Sequence, residues 1–206
     1  MNKIKILIAD DHKIVRMGLK ALISSERDMA VVGEADDGEA AVRAALELAP
    51  DIVVMDLMMP VMSGEEAIGE LHRRLPAVRT IVLTSFSSSD RIVQALEAGA
   101  TGAVLKTADD ATLLKAIRDV SQGRKFISPE IRKLIAADPP ARKLSPRQRE
   151  VLESLTQGLS NKDIAVKLGI SNPRVEELMV SLLSKIGAAN RTEAVAIAMR
   201  KHLLKI

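Results

Sequence analysis

The sequence predicts an α/β domain built on a doubly wound, parallel, five-stranded sheet, followed by a small all-α domain containing a helix-turn-helix. Three observations carry that expectation. Short apolar runs alternate with amphipathic segments over residues 1–125, strand patterning stops after Gly123, and the charge balance changes sign between the two parts. The strand candidates are Ile4–Ala9, Ala30–Gly33, Ile52–Met55, Thr80–Leu83 and Gly102–Leu105. The third is continuously apolar, and the first and fourth are so apart from Lys5 and Thr80, as expected for strands covered on both faces. Between and after them, Ile14–Ser24, Glu39–Ala49, Glu65–Leu75, Arg91–Ala98 and Ala111–Gln122 carry apolar residues at helical spacing, for example Val15, Leu19, Leu22 and Ile23. Five βα units in series, joined by right-handed crossovers, give a parallel sheet whose ligand site lies outside the carboxyl ends of its strands.

A short helix is expected from Pro129 to about Ala137, and Asp138-Pro139-Pro140-Ala141-Arg142-Lys143 reads as a linker because of its proline pair and charge. Helix starts then recur. Ser145-Pro146-Arg147-Gln148, Ser160-Asn161-Lys162-Asp163 and Asn190-Arg191-Thr192-Glu193 are capping-box patterns, and Ser171-Asn172-Pro173 offers an N-cap serine with proline in the first turn. Asn161–Leu168, a Gly169-Ile170 turn and Asn172–Ile186 form a helix-turn-helix candidate. The expected division is 1–125 for the α/β part, 126–143 for helix and linker, and 144–206 for the helical module.

Composition excludes several classes of function. Phe86 and Phe126 are the only aromatic residues, which leaves no stacking platform for single-stranded nucleic acid. The absence of cysteine removes disulfides, zinc thiolate sites, iron–sulfur clusters and cysteine nucleophiles. The N-terminal apolar run is short and ends in carboxylates, so it reads as a strand and not a signal peptide, and no run approaches the roughly 18 to 20 apolar residues of a membrane span. A soluble, cytoplasmic protein without membrane association is expected. Residues 1–128 hold 16 Lys+Arg and 19 Asp+Glu, net −3, and residues 129–206 hold 14 and 8, net +6. The basic part suggests a polyanionic partner, because neutralising phosphates releases counterions; a solvated lysine-rich surface accounts for the same charge.

The polar residues at the strand ends carry the chemistry. Asp10 and Asp11 end the first strand and Asp56 ends the third, while the fourth runs into Thr84-Ser85 and the fifth into Lys106-Thr107. Three crowded carboxylates repel one another unless a cation lies among them, and a hard, oxygen-seeking ion such as Mg²⁺ suits them. A carboxylate nucleophile, a metal, a hydroxyl and an ammonium are the parts required for phosphoryl transfer to an aspartate.

Asp10-Asp11, Met55-Asp56-Leu57-Met58-Met59-Pro60-Val61-Met62-Ser63-Gly64, Leu83-Thr84-Ser85 and Gly99-Ala100-Thr101-Gly102-Ala103-Val104-Leu105-Lys106 resemble the flavodoxin-like receiver domain of two-component response regulators. Leu144-Ser145-Pro146-Arg147-Gln148-Arg149-Glu150-Val151-Leu152, Gly158-Leu159-Ser160-Asn161-Lys162-Asp163-Ile164-Ala165 and Asn190-Arg191-Thr192-Glu193-Ala194-Val195 resemble the LuxR-type DNA-binding domain. In this order they are similar to the LuxR/NarL-type response regulators. The resemblance implies that Asp56 accepts a phosphoryl group from a sensor histidine kinase. It implies that Asp11 and Asp56, with the Met58 backbone carbonyl, bind Mg²⁺ or another divalent cation, and that Asp10 acts through a metal-bound water. Lys106 would hold a phosphoryl oxygen and Thr84 would move toward the attached group. The implied protein is a regulator and not an enzyme, apart from Mg-dependent self-phosphorylation and dephosphorylation. Its activated homodimer would bind double-stranded promoter DNA at two half-sites about one helical turn apart. Asn161, Lys162, Asn172, Arg174, Val175 and Lys185 are the candidate DNA contacts.

The sequence departs from the family pattern in three places. Ala103 stands where the family usually has an aromatic residue that swings inward with the threonine; Phe86, near the Thr84 loop, is a candidate to replace it, but reads more readily as an ordinary core or surface residue. Thr107 follows the lysine in place of proline. Glu176 stands where a DNA-facing lysine is expected, in Pro173-Arg174-Val175-Glu176-Glu177-Leu178. That last departure sustains a competing expectation, a phospho-controlled regulator that binds protein through a helical module with weakened DNA recognition. The last helix, Asn190–His202, offers either a dimer face or core packing. A haloacid-dehalogenase-type phosphatase, which also uses an aspartyl nucleophile, fits poorly because Met58 occupies the position of its second acid.

Overall fold

The computed structural model describes residues 3–85, 89–137, 139, 144–201 and 203–204. Its first part alternates strands and helices: β1 (Ile4–Ala9), α1 (Lys13–Ser25), β2 (Met29–Ala35), α2 (Gly38–Leu48), β3 (Ile52–Met55), α3 (Gly64–Arg74), β4 (Arg79–Thr84), α4 (Ser89–Ala98), β5 (Gly102–Leu105), α5 (Asp110–Ser121), β6 (Phe126–Ile127) and α6 (Pro129–Ala137). The sheet is parallel throughout, in the order β2-β1-β3-β4-β5-β6. Alternation along each strand sorts the core onto two faces. Leu7, Ala9, Val53, Met55, Val82 and Ala103 pack with α2, α3 and α4, whereas Ile6, Ile8, Ile52, Val54, Ile81 and Val104 pack with α1 and α5. Both faces are covered, which explains why the strand runs read as almost continuously apolar.

The sheet has six strands, one more than the sequence pattern suggests. β6 pairs with β5 through Gly102↔Phe126 and Ala103↔Ile127, and two residues are too few to carry a periodic signal. The helix after it belongs to the same body: Ser128 N donates to the Ala103 carbonyl at 3.0 Å and Ile131 is fully buried with Val82, Ile92 and Ala103. Two compact units result, Met1–Asp138 and Pro139–Ile206. Of the expected linker, only Pro139 lies within the described residues.

The second unit is helical: α7 (Pro146–Thr156), α8 (Asn161–Leu168), α9 (Asn172–Ile186) and α10 (Arg191–Arg200). Ser145 and Ser160 close reciprocal capping boxes with Gln148 and Asp163, and Ser171 Oγ accepts from Arg174 N. The third expected box is altered, because Glu193 accepts from Ala189 N at 2.7 Å and not from the N-cap residue, while Asn190 still accepts from Glu193 N at 2.9 Å. Gly169 and Gly187 end α8 and α9 in the left-handed conformation that glycine adopts without penalty. One core, with Val151, Leu152, Ile164, Val175, Leu182 and Ile197 among its members, joins the four helices. Ala194, Ile197 and Ala198 of α10 are therefore core residues, while Met199 is exposed and His202 lies outside the described residues.

The loop after β3 carries local strain. Met62 N donates to the Pro60 carbonyl at 2.7 Å, a three-residue turn that holds Val61 at φ 65°, a region a β-branched residue rarely enters. The same loop packs without slack at Gly64, where a Cβ would lie 2.1 Å from the Asp56 carbonyl oxygen. Gly64→Ala is therefore expected to lower stability by about 1–3 kcal/mol. Val61→Asn, at a residue that is 79% exposed, should raise stability by about 1 kcal/mol, since asparagine tolerates the left-handed region. Urea unfolding followed by far-UV circular dichroism measures both.

Candidate functional site

Strand order reverses at the β1–β3 pair, where a doubly wound sheet opens a crevice. Ala9 and Met55 are register partners, so the residues that follow them, Asp10 and Asp56, emerge side by side and are both buried. Lys106, next after β5, reaches across to them with Nζ 2.5 Å from Asp10 Oδ2 and 2.7 Å from Asp56 Oδ2. Asp56 Oδ1 accepts from Leu57 N at 2.7 Å, and Met58 N adds a second backbone donor. Asp11 is more exposed and pairs with His12 Nδ1 at 2.6 Å. One donor atom from each of Asp10, Asp11, His12 and Asp56 lies within 4.8 Å of the others. His12 was not singled out in the sequence, although its place directly after two aspartates was the available signal.

Burial pushes the Asp56 carboxyl above its ordinary value, and the neighbouring Asp10 charge adds to the effect; Lys106 pulls the other way without cancelling it. For Lys106, burial favours the neutral amine, but hydrogen bonds and charge from Asp10 and Asp56 outweigh it and hold the pKa above the usual lysine value. The donor set of three carboxylates fits a hard divalent cation such as Mg²⁺.

Thr84, the last residue of β4, is fully buried, and its carbonyl accepts from Lys106 N at 2.9 Å, which ties the hydroxyl-bearing and ammonium-bearing strand ends together. Phe86 lies outside the described residues. Ala103 is fully buried and shares its cluster with Ile92 and Ala95 of α4 and Ile131 of α6. A second arrangement beside the site involves residues far apart in sequence. Arg91 of α4 donates through Nη2 to the Leu57 carbonyl at 3.3 Å and to Glu65 Oε2 of α3 at 2.9 Å, its Nε also bonds Glu65, and its remaining nitrogen lies against the Met58 sulfur. Both charged side chains are largely buried, at 15% and 12% exposure. The two residues are 26 apart, so helical charge spacing gave no hint of the pair.

The expected DNA contacts separate in the second unit. Lys162, Asn172 and Arg174 are exposed and Asn161 is half-buried at the start of α8. Val175 is fully buried, so it anchors α9 from below and does not face outward as the sequence reading had it. Lys185 is half-buried and donates to Gln148 Oε1 at 2.9 Å, within a network in which Gln148 also donates to Ser181 Oγ at 2.8 Å.

A parallel α/β unit with an aspartate–lysine cluster at its strand ends, joined to a capped helix-turn-helix unit, defines a response regulator with a DNA-binding output domain. Comparison with known proteins agrees. Residues 6–118 match the response regulator receiver domain and residues 142–198 match the bacterial regulatory proteins of the luxR family. The chain is 37% identical to the transcriptional regulatory protein LiaR of Bacillus subtilis over 98% of this chain and 99% of that one. It is 34% identical to the response regulator VraR of Staphylococcus aureus, with the same coverage. Among solved structures, RcsB of Salmonella enterica serovar Typhimurium bound to a promoter with a phosphomimetic superposes with a TM-score of 0.73 at 28% identity, covering 97% of this chain and 99% of that one. The response regulator ChrA of a heme-sensing two-component system gives 0.60 at 34% identity, over 99% of this chain and 100% of that one. The chain belongs to the LuxR-type two-component response regulators, a family of transcriptional regulators.

Two sets of variants test this geometry in metal-free buffer, with thermal unfolding as the readout. Lys106→Met strands two buried carboxylates and is expected to lower stability by about 3–5 kcal/mol, whereas Asp56→Asn relieves their repulsion and should raise it by about 1 kcal/mol. Arg91→Ala and Glu65→Ala should each destabilise, with a double-mutant coupling of about 1–3 kcal/mol; additive losses would show that the pair does not act as a unit.

Proposed function

We propose that a sensor histidine kinase phosphorylates Asp56 in a reaction needing Mg²⁺ or another divalent cation, and that the phosphoryl group controls dimerisation and binding to double-stranded promoter DNA. The observation that carries this reading is the burial of Asp56 within hydrogen-bond reach of Lys106 and beside Asp10. An Asp56 carboxylate oxygen attacks phosphorus; the new O–P bond forms as the P–N bond to the kinase histidine breaks, and the electron pair returns to the imidazole. Lys106 moves from a carboxylate oxygen to a phosphoryl oxygen, a point charge suited to that anion. Asp11, Asp56 and the Met58 carbonyl would hold the cation, with Asp10 acting through a water, and the bound ion supplies charge neutralisation at the phosphoryl group. The Thr84 hydroxyl would donate to the attached group, whose nearly two negative charges bias the surrounding loops.

In this reading phosphoryl chemistry resides in residues 1–125 and DNA binding in residues 144–206. Asn161, Lys162, Asn172 and Arg174 are proposed at the DNA, while Lys185 acts in part by fixing α9 to α7 through Gln148. The chain then works in the cytoplasm, and among the described residues no helix is long and apolar enough to cross a membrane. A second reading, a regulator that binds protein through α9, is favoured by the exposed Glu176, Glu177 and Val180.

Treatment with a small phosphodonor and Mg²⁺ should add one phosphoryl group by intact-protein mass in the wild type. Neither Asp56→Asn nor the wild type with chelator should gain it. Gel-shift titration should show at least about tenfold tighter promoter binding after phosphorylation; tight specific binding unchanged by Asp56→Asn would sink the phospho-control.

A further inference from the structure

The outward face of α9 has a charge opposite to that of its surroundings. In its first nine residues Val175 points into the core, and the exposed positions are Asn172, Pro173, Arg174, Glu176, Glu177 and Val180, the last 69% exposed. The two carboxylates are organised: Glu177 Oε2 accepts from Arg174 Nη1 at 2.6 Å and Glu176 Oε1 accepts from Asn172 Nδ2 at 3.2 Å. This acidic patch belongs to the part of the chain that is basic overall, and cations such as Arg149, Lys162, Lys167 and Arg191 lie exposed on the other helices.

In a helix-turn-helix the second helix lies in the major groove with its N-terminal residues at the base edges. A carboxylate there is repelled by the phosphates on either side, and the bonds to Asn172 and Arg174 engage one oxygen each of Glu176 and Glu177, so a base that offers a donor to the other oxygen offsets the repulsion. The major-groove donors are the amino groups of cytosine and adenine. Adenine carries the N7 acceptor beside its amino group, which repels the second carboxylate oxygen, whereas cytosine presents its amino group with only a C–H beside it. Guanine, the partner of that cytosine, presents O6 and N7, the acceptor pair that a guanidinium fork matches. Arg174, tethered to Glu177, is available for that role.

We propose that Glu176 and Glu177 are specificity-determining residues that select cytosine in each half-site, with Arg174 taking the guanine of the same or the adjoining pair. The proposal rests on the DNA-binding reading. Phosphate anchoring falls to the cations on the other helices, and α9 contributes discrimination more than attraction. The same carboxylates then act against wrong sites, since guanine offers each only acceptors and thymine an acceptor and a methyl group, with no donor in either case.

The experiment is selection from a randomised duplex library with the full chain treated with phosphodonor, for the wild type and for Glu176→Gln and Glu177→Gln. The wild type is expected to enrich a motif with cytosine fixed at one or two positions per half-site. Replacing that cytosine by its analogue lacking the 4-amino group should weaken binding about tenfold or more. The glutamine variants should lose the cytosine requirement, move toward adenine, and bind unrelated duplex more tightly than the wild type does. Both substitutions are at exposed positions, and unfolding curves matching the wild type confirm that the fold is kept. An enriched motif without cytosine, or one that survives both glutamine substitutions unchanged, overturns the proposal and leaves DNA binding standing. Failure of the phosphorylated wild type to retain any duplex overturns the DNA-binding reading itself.

Discussion

Two carboxylates buried against one ammonium are the interaction on which the first unit is arranged. Asp10 and Asp56 occupy the same crevice because β1 and β3 are adjacent, parallel and in register. Isolated charges of one sign would not tolerate that burial, and Lys106, at the end of β5, compensates them from two strands beyond β3 and three beyond β1. The arrangement is poised and not relaxed: the Asp56 carboxyl is held above its ordinary value while Lys106 is held above its own. A group that arrives carrying negative charge can recruit Lys106 without creating a new cationic site. The tight packing at Gly64 and the strained Val61 turn lie in the same loop as the backbone donors to Asp56.

The surroundings of Asp56 connect it to α4 by a route made of charge and backbone. Arg91 spans from α4 to the Leu57 carbonyl and to Glu65 on α3, so the loop after Asp56 and a largely buried ion pair share one guanidinium. Ala103, at the usual aromatic position, is enclosed by α4 and α6 residues. With Ile131 filling that side of β5, a large side chain would have to compete with the helix for the same space. The small residue and the sixth strand with its following helix are thus two aspects of one packing solution.

The second unit is locally determined to an unusual degree. Each of its four helices begins at a side chain that accepts from the first turn, and two end at left-handed glycines. Such signals act within a few residues and define the helix-turn-helix before packing is considered. What they leave to packing is which residues of α9 face outward, and the outward set carries two carboxylates, one guanidinium and an exposed valine in the middle of a basic module. Family membership therefore indicates the kind of output, while the individual side chains on that face set what it recognises.

Much of the molecule was legible from residues 1–206 read in order. Apolar runs located five strands within one or two residues, because burial on both faces leaves an almost continuous hydrophobic signal, and cap residues located the helices of the second unit. Asp10, Asp56, Thr84 and Lys106 were legible as strand-end residues once the elements were placed, since parallel topology collects those ends on one edge. Pairings over long separations were not legible. The Arg91–Glu65 pair and the network from Lys185 through Gln148 to Ser181 depend on which helices pack side by side, and no periodicity encodes that. Nor was β6, too short to show a pattern; the inward turn of Val175, in contrast, is encoded, since Val175, Leu178, Leu182 and Ile186 recur at helical spacing along α9. Local sequence set the elements and the chemical groups at their ends; three-dimensional packing assigned each group its partner, because a charge or hydrogen bond acts over a few ångströms of space whatever the distance along the chain.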